Sequence, residues 1–174
     1  LGSWPQAGGA TGLAAGDAIC RNLAAGAHLP SPDSFVAWLA TDDVDANSRL
    51  TLDDTPFRRV DGFRLADSRA DLFATGADNT LHVDENGDYL GQSLLHWSGS
   101  YGGGSSSGIN CSGWTSSDPL DDGDYGVSDY AYGFEWSQFG NATCNLPLRL
   151  VCFSNREVLF WDGFDLSEST ERWS

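Results

Sequence analysis

Five carboxylates crowd one short stretch: Asp118, Asp121, Asp122, Asp124 and Asp129, set among glycines with Pro119. Like charges at this spacing repel unless solvent or a cation relieves them, and hard oxygen ligands of this kind suit calcium. A solvated acidic loop accounts for the same residues without a metal. Tyr130, Tyr132 and Trp136 follow directly, and aromatic faces beside such a loop are what stacking on a sugar ring or packing in a protein interface requires. Core filling is the competing use of those rings. A second arrangement, Asp43, Asp45, Asn47, Leu50 and Asp54, falls on positions one, three, five, eight and twelve of an EF-hand-like loop. Against it, Ser48 stands where that loop needs Gly and Asp54 where it needs Glu.

Gly104, Ser106 and Gly108 spell the G-x-S-x-G of a hydrolase nucleophile elbow. An elbow needs a strand before the serine and a helix after it, whereas this serine lies in Gly/Ser-rich sequence, Gly99 to Gly108, that reads as a flexible loop. His28, His82 and His96 are scattered without ligand spacing, which argues against zinc. No paired acid and base is evident, so the expectation is a non-enzymatic chain.

The cysteines are Cys20, Cys111, Cys144 and Cys152. They form no metal-type C-x-x-C pair, and read as two disulfides in an oxidising compartment. Four cysteines allow three pairings. Cys152 sits in Leu148 to Phe153, an apolar stretch that reads as the buried strand around which the chain folds, and Cys20 on the core face of a helix is its natural distant partner. A bridge spanning 132 positions would stabilise by roughly 5 kcal/mol, and one from Cys111 to Cys144, spanning 33, by roughly 4 kcal/mol, in the chain-entropy model.

The elements that must hold these groups follow in order. Leu1 to Thr11 reads as an extended lead-in. From Gly12, the residues Leu13, Ile19, Cys20, Leu23 and Ala24 recur at helical spacing, with Gly26 placed to end the helix. Phe35 to Leu39 is strand-like. Phe57 to Val60 and Phe63 to Leu65, joined at Asp61-Gly62, predict a hairpin with a type I′ turn and an arginine-bearing face. Asp67 to Phe73 predicts a short helix capped by Asp67 or Ser68. Leu81 to Val83 and Leu94 to Trp97 predict short strands. Trp114 should pack beside a disulfide. Asn110-Cys111-Ser112 and Asn141-Ala142-Thr143 are glycosylation sequons.

The chain has 174 residues, 40% of them hydrophobic, enough for one core. The 9 basic residues, all arginine, face 25 acidic ones for a formal charge of -16. That balance repels a phosphate backbone and excludes nucleic acid. No apolar run is long enough to span a bilayer. The chain begins at Leu1 instead of Met, as a processed chain would, and shows no signal peptide, so the expectation of export rests on the cysteines.

With these elements placed, the chain resembles the endostatin-like branch of the C-type lectin fold, represented by the C-terminal domain of collagens XV and XVIII and by bacterial secreted and surface domains. The matching residues run from Thr11-Gly12-Leu13 and Asp17-Ala18-Ile19-Cys20 to Leu29, then Ala37-Trp38-Leu39, Val60-Asp61-Gly62 and Leu65-Ala66-Asp67. They continue through Trp97-Ser98-Gly99, Cys111 with Trp114-Thr115-Ser116, Cys144-Asn145 and Leu150-Val151-Cys152-Phe153. The resemblance implies an α+β fold: a mixed, mostly antiparallel twisted sheet, one main N-terminal helix, long loops, and nested bridges Cys20 to Cys152 and Cys111 to Cys144. It also implies surface adhesion as the activity. The E-P-N or Q-P-D loop and W-N-D strand of sugar-binding relatives are missing, as are the histidine-rich N-terminus and basic heparin face of vertebrate endostatins.

The expected organisation is a lead-in over 1–11, the domain over 12–153 and an extension over 154–174. In the extension, Val158, Leu159, Phe160, Trp161 and Phe164 form an apolar strand-like segment that packs on its own domain or adds to the sheet of a neighbouring copy. The function expected is surface contact by a secreted or cell-surface domain, as an adhesin or a self-associating subunit of a fibre or layer. Its partners would be an extracellular protein, a glycan or copies of itself. Calcium-dependent carbohydrate binding is the alternative.

Overall fold

The structure, a computed structural model, describes residues 1, 4–91, 93–131 and 133–156. It is an α+β fold with one long helix, α1 (Gly12–Gly26), a short one, α2 (Arg69–Thr75), and small antiparallel sheets. Helix α1 buries Ala15, Gly16, Ile19, Cys20 and Ala24, a stripe at the spacing a helix needs to cover a sheet on one side only. It lies on β1 (Phe35–Ala37), where Asp17 Oδ1 accepts the Ala37 amide at 3.0 Å. Ser68, one of the two caps the sequence offers, caps α2 by accepting from the Asp71 amide, and the helix runs on to Thr75, two residues past Phe73.

Strand β1 pairs antiparallel with the last strand, β7 (Cys152–Ser154). A three-stranded sheet follows the order β4 (Leu95–Trp97), β5 (Asp122–Val127), β6 (Gly140–Thr143). The two sheets meet at Arg149, whose amide donates to Leu95 O and whose carbonyl accepts from Trp97 N. The expected organising strand is therefore organising in its hydrogen bonds but not in its burial. Leu148, Leu150, Val151 and Cys152 are half-buried, Arg149 is exposed, and only Phe153 is buried. Phe153 enters an aromatic core with Trp38 (5.7 Å between centroids), Phe57 (5.6 Å) and Trp136 (6.2 Å). The second core gathers Trp97, Trp114 and both bridges, Cys20–Cys152 and Cys111–Cys144, which are nested.

Several elements differ from the sequence expectation for identifiable reasons. Residues 118–129 hold a central strand where an irregular acidic loop was expected. Glycine depresses strand propensity, but Gly126 is needed in β5 because a Cβ there would stand 2.1 Å from the Trp136 carbonyl. The Gly/Ser stretch 99–108 is packed, not free: Ser100, Gly102 and Gly104 are buried, and Asn47 Nδ2 donates to Gly103 O. The lead-in is not extended; Pro5–Ala7 forms a 3₁₀ turn with Ala7 buried, and Leu1 and Trp4 pack beside Ile19. The hairpin of β2 (Phe57–Arg58) and β3 (Arg64–Ala66) turns over Arg59 to Gly62. Only Gly62 there has positive φ, at 90°, so the turn is not type I′ and resembles a type I turn closed by an αL glycine. Leu81 to Val83 makes one bridge, Val83 to Tyr89, instead of a strand.

Candidate functional site: a groove along the last strand

The ladder between β1 and β7 uses one edge of the chain from 151 to 155. Trp38 N donates to Val151 O and Asn155 N to Ser34 O, so the odd-numbered residues face β1. By the alternation of an antiparallel ladder, the backbone groups of Cys152 and Ser154 face the other way. Among the described residues no strand pairs with that outer edge. An open edge is a template for a further strand.

A groove of about 740 Å³ runs along this edge and reaches both faces of the strand. On one face Val151 packs toward the aromatic core, with Leu52, Leu81 and Val83 extending the wall; on the other, Leu150 packs toward Ile19 and Leu23 of α1. Edge strands are usually blunted by charge, bulges or a covering element. Here apolar side chains that are only half-buried line both flanks.

The charge around the groove is unlike that of the rest of the molecule. Arg21, Arg49, Arg59, Arg64 and Arg69 each pair with an aspartate. The other described arginines, Arg58, Arg149 and Arg156, have no acidic partner among the described residues, and all three line the groove. Asp84 and Glu85 line it too, and the Asp84 carboxylate already accepts the amides of Asn86 and Asp88. His96 forms part of the wall and is buried, its Nε2 2.5 Å from Trp136 O. Burial lowers its pKa to about 4 against the opposing pull of the Trp136 and Leu94 carbonyls, so it is neutral at ordinary pH. The site can thus receive an extended, apolar, acidic segment.

The residues singled out from sequence are distributed otherwise. Asp122 and Asp124 lie on β5, Asp122 exposed and Asp124 buried, its pKa raised by burial and restrained by Ser107. Asp121, half-buried, receives the Ser112 hydroxyl, Asp118 caps its own turn at the Leu120 amide, and exposed Asp129 accepts from Ser93. Asp45 Oδ1 holds the Ser106 amide, Asn47 reaches Gly103, and Asp43 and Asp54 are exposed. Among the described residues no group of three or more His, Cys, Asp or Glu side chains is gathered to hold a metal. Trp136, expected as a ligand contact, is fully buried in the aromatic core, where its neighbours leave no face for a sugar. Tyr130 is exposed and stacks 5.5 Å from Phe139; Tyr132 lies outside the described residues. So do Val158, Leu159, Phe160, Trp161 and Phe164. Ser106 Oγ accepts from the Gly108 amide, and the sequon at Asn110 is buried, its amide donating to Asp42 at 2.7 Å.

Sequence reading missed the groove because its walls come from segments scattered along the chain. No family model matches the chain, and no curated protein matches it significantly.

Proposed function

We propose that the chain is a non-enzymatic, exported binding domain of the endostatin-like branch of the C-type lectin fold, acting by surface contact through the groove along β7. The observation that carries this is the coincidence, among the described residues, of an open strand edge, apolar flanks on both faces and three arginines without acidic partners, in a chain of net charge -16. Strand addition supplies affinity through backbone hydrogen bonds, and flanking pockets supply selectivity. The nested bridges support the family reading, and with the absence of a membrane-crossing helix among the described residues they fit export.

The test is sizing and electron microscopy of the full chain, together with binding to extracellular matrix proteins and cell surfaces, for the native chain and for Arg58→Glu/Arg149→Glu. Both arginines are exposed, so the double reversal leaves packing intact. Contact of either kind that the reversal weakens supports the reading. A strictly monomeric chain that binds nothing, or contacts indifferent to the reversal, overturns it.

A further inference from the structure

Resting on that reading, we propose that the occupant of the groove is the segment Glu157 to Phe164 of a second copy of this chain. The described chain stops at Arg156, on the groove's own rim, and the sequence then reads Glu-Val-Leu-Phe-Trp-Asp-Gly-Phe. Three features match this segment to this groove. Val158 to Trp161 is apolar at every position instead of every second one, the pattern of a strand covered on both faces. The groove is apolar on both faces of β7. In an extended conformation Val158 and Phe160 would meet one wall, and Leu159 and Trp161 the other.

Charge is the second match. Residues 157–174 carry Glu157, Asp162, Asp165, Glu168 and Glu171 against Arg172 alone, and the groove holds Arg58, Arg149 and Arg156. The rest of the surface is acidic and would repel such a segment.

The third feature decides between the chain's own segment and another copy's. Asn155 N donates to Ser34 O, its Oδ1 accepts the Thr51 amide, and its Nδ2 donates to Arg49 O. These bonds hold Asn155 against β1 one residue past the end of β7, and the backbone bends at Asn155 and Arg156. Neither Asn155 nor Arg156 has the positive φ that a tight two-residue reversal requires at its first central position. Only Arg156 and Glu157 separate Asn155 from the apolar run that begins at Val158, too few for a reversal onto the chain's own edge without that geometry, so the occupant is a neighbour's segment. Groove and segment are different patches, so the contact is head-to-tail and propagates into open chains unless the rotation closes a ring.

The test is light scattering on the full chain, on a segment variant, Phe160→Asp/Trp161→Asp, and on the groove variant, Arg58→Glu/Arg149→Glu. The native chain should form species of several times 18.6 kDa that dissociate with dilution and salt. Each variant alone should sediment as a monomer. Mixed, they should give a dimer and nothing larger, because one intact segment and one intact groove remain. A monomeric native chain, assembly that survives the segment substitutions, or a mixture that stays monomeric overturns the inference. Matrix or cell binding that the groove reversal still weakens would, in that event, leave the proposed function standing with a different partner.

Discussion

Acidification should loosen the groove wall through His96. The ring is 2% exposed, and burial lowers its pKa from the usual 6.5 to about 4. A folded-state pKa below the unfolded one contributes stability that is present above 6.5 and is lost as pH falls toward 4, because the unfolded chain takes up the proton first. A shift of this size is worth about 3 kcal/mol in full, and about 2 kcal/mol of it is lost by pH 5. Chemical denaturation from pH 8 to pH 4 reads this, but carboxylates titrate in the same range. The informative quantity is the difference between the native chain and His96→Gln, which keeps a donor for the Trp136 carbonyl but has no proton to gain. His96→Gln should be less stable at pH 8, and the gap should narrow by about 2 kcal/mol at pH 5. A constant gap across the range would refute the argument that the imidazole is held neutral by its surroundings.

Removing the Cys20–Cys152 bridge with a pair of alanines should cost up to about 5 kcal/mol and removing Cys111–Cys144 up to about 4 kcal/mol, in the ratio set by loops of 132 and 33 positions; denaturant midpoints give the order. Phe153→Ala empties a site between Trp38, Phe57 and Trp136 and should cost about 3–5 kcal/mol, read by urea unfolding, with loss of near-ultraviolet dichroism from the tryptophans. Since no described group of carboxylates is gathered for a metal, calcium and EDTA should give the same melting temperature. A rise of several degrees with calcium would contradict that placement.

The sequence made legible what depends on local pattern. The stripe of Ile19, Cys20 and Ala24 marked α1, Ser68 marked the start of α2, and Trp114 was placed beside the bridges, where it packs with Cys111 and Cys144. Residues whose role depends on what lies opposite were misread. Asp122, Gly123, Asp124 and Gly126 have the composition of a loop, yet they form β5 because β4 and β6 supply a ladder on both sides. Trp136 stands in an aromatic, polar stretch that suggests a binding surface, but Trp38 and Phe153 enclose it. Ser100 and Ser137 share a buried hydroxyl contact at 2.8 Å, with the Trp38 indole donating to Ser137. No local pattern in a Gly/Ser stretch announces such a contact. The groove has no local signature at all, since β4, β7, the β2–β3 hairpin, the 81–90 turn and α1 all contribute to it from across the chain.

The most direct measurement of the central claim is amide hydrogen exchange at Cys152 and Ser154, the residues whose backbone faces away from β1. In the full chain at high concentration these amides should exchange slowly, and they should become fast on dilution or with Phe160→Asp/Trp161→Asp, while Phe153 and Asn155, whose amides face β1, keep the protection of the native ladder. Fast exchange at every concentration, or protection that ignores dilution, would contradict a β7 edge filled by a neighbouring copy.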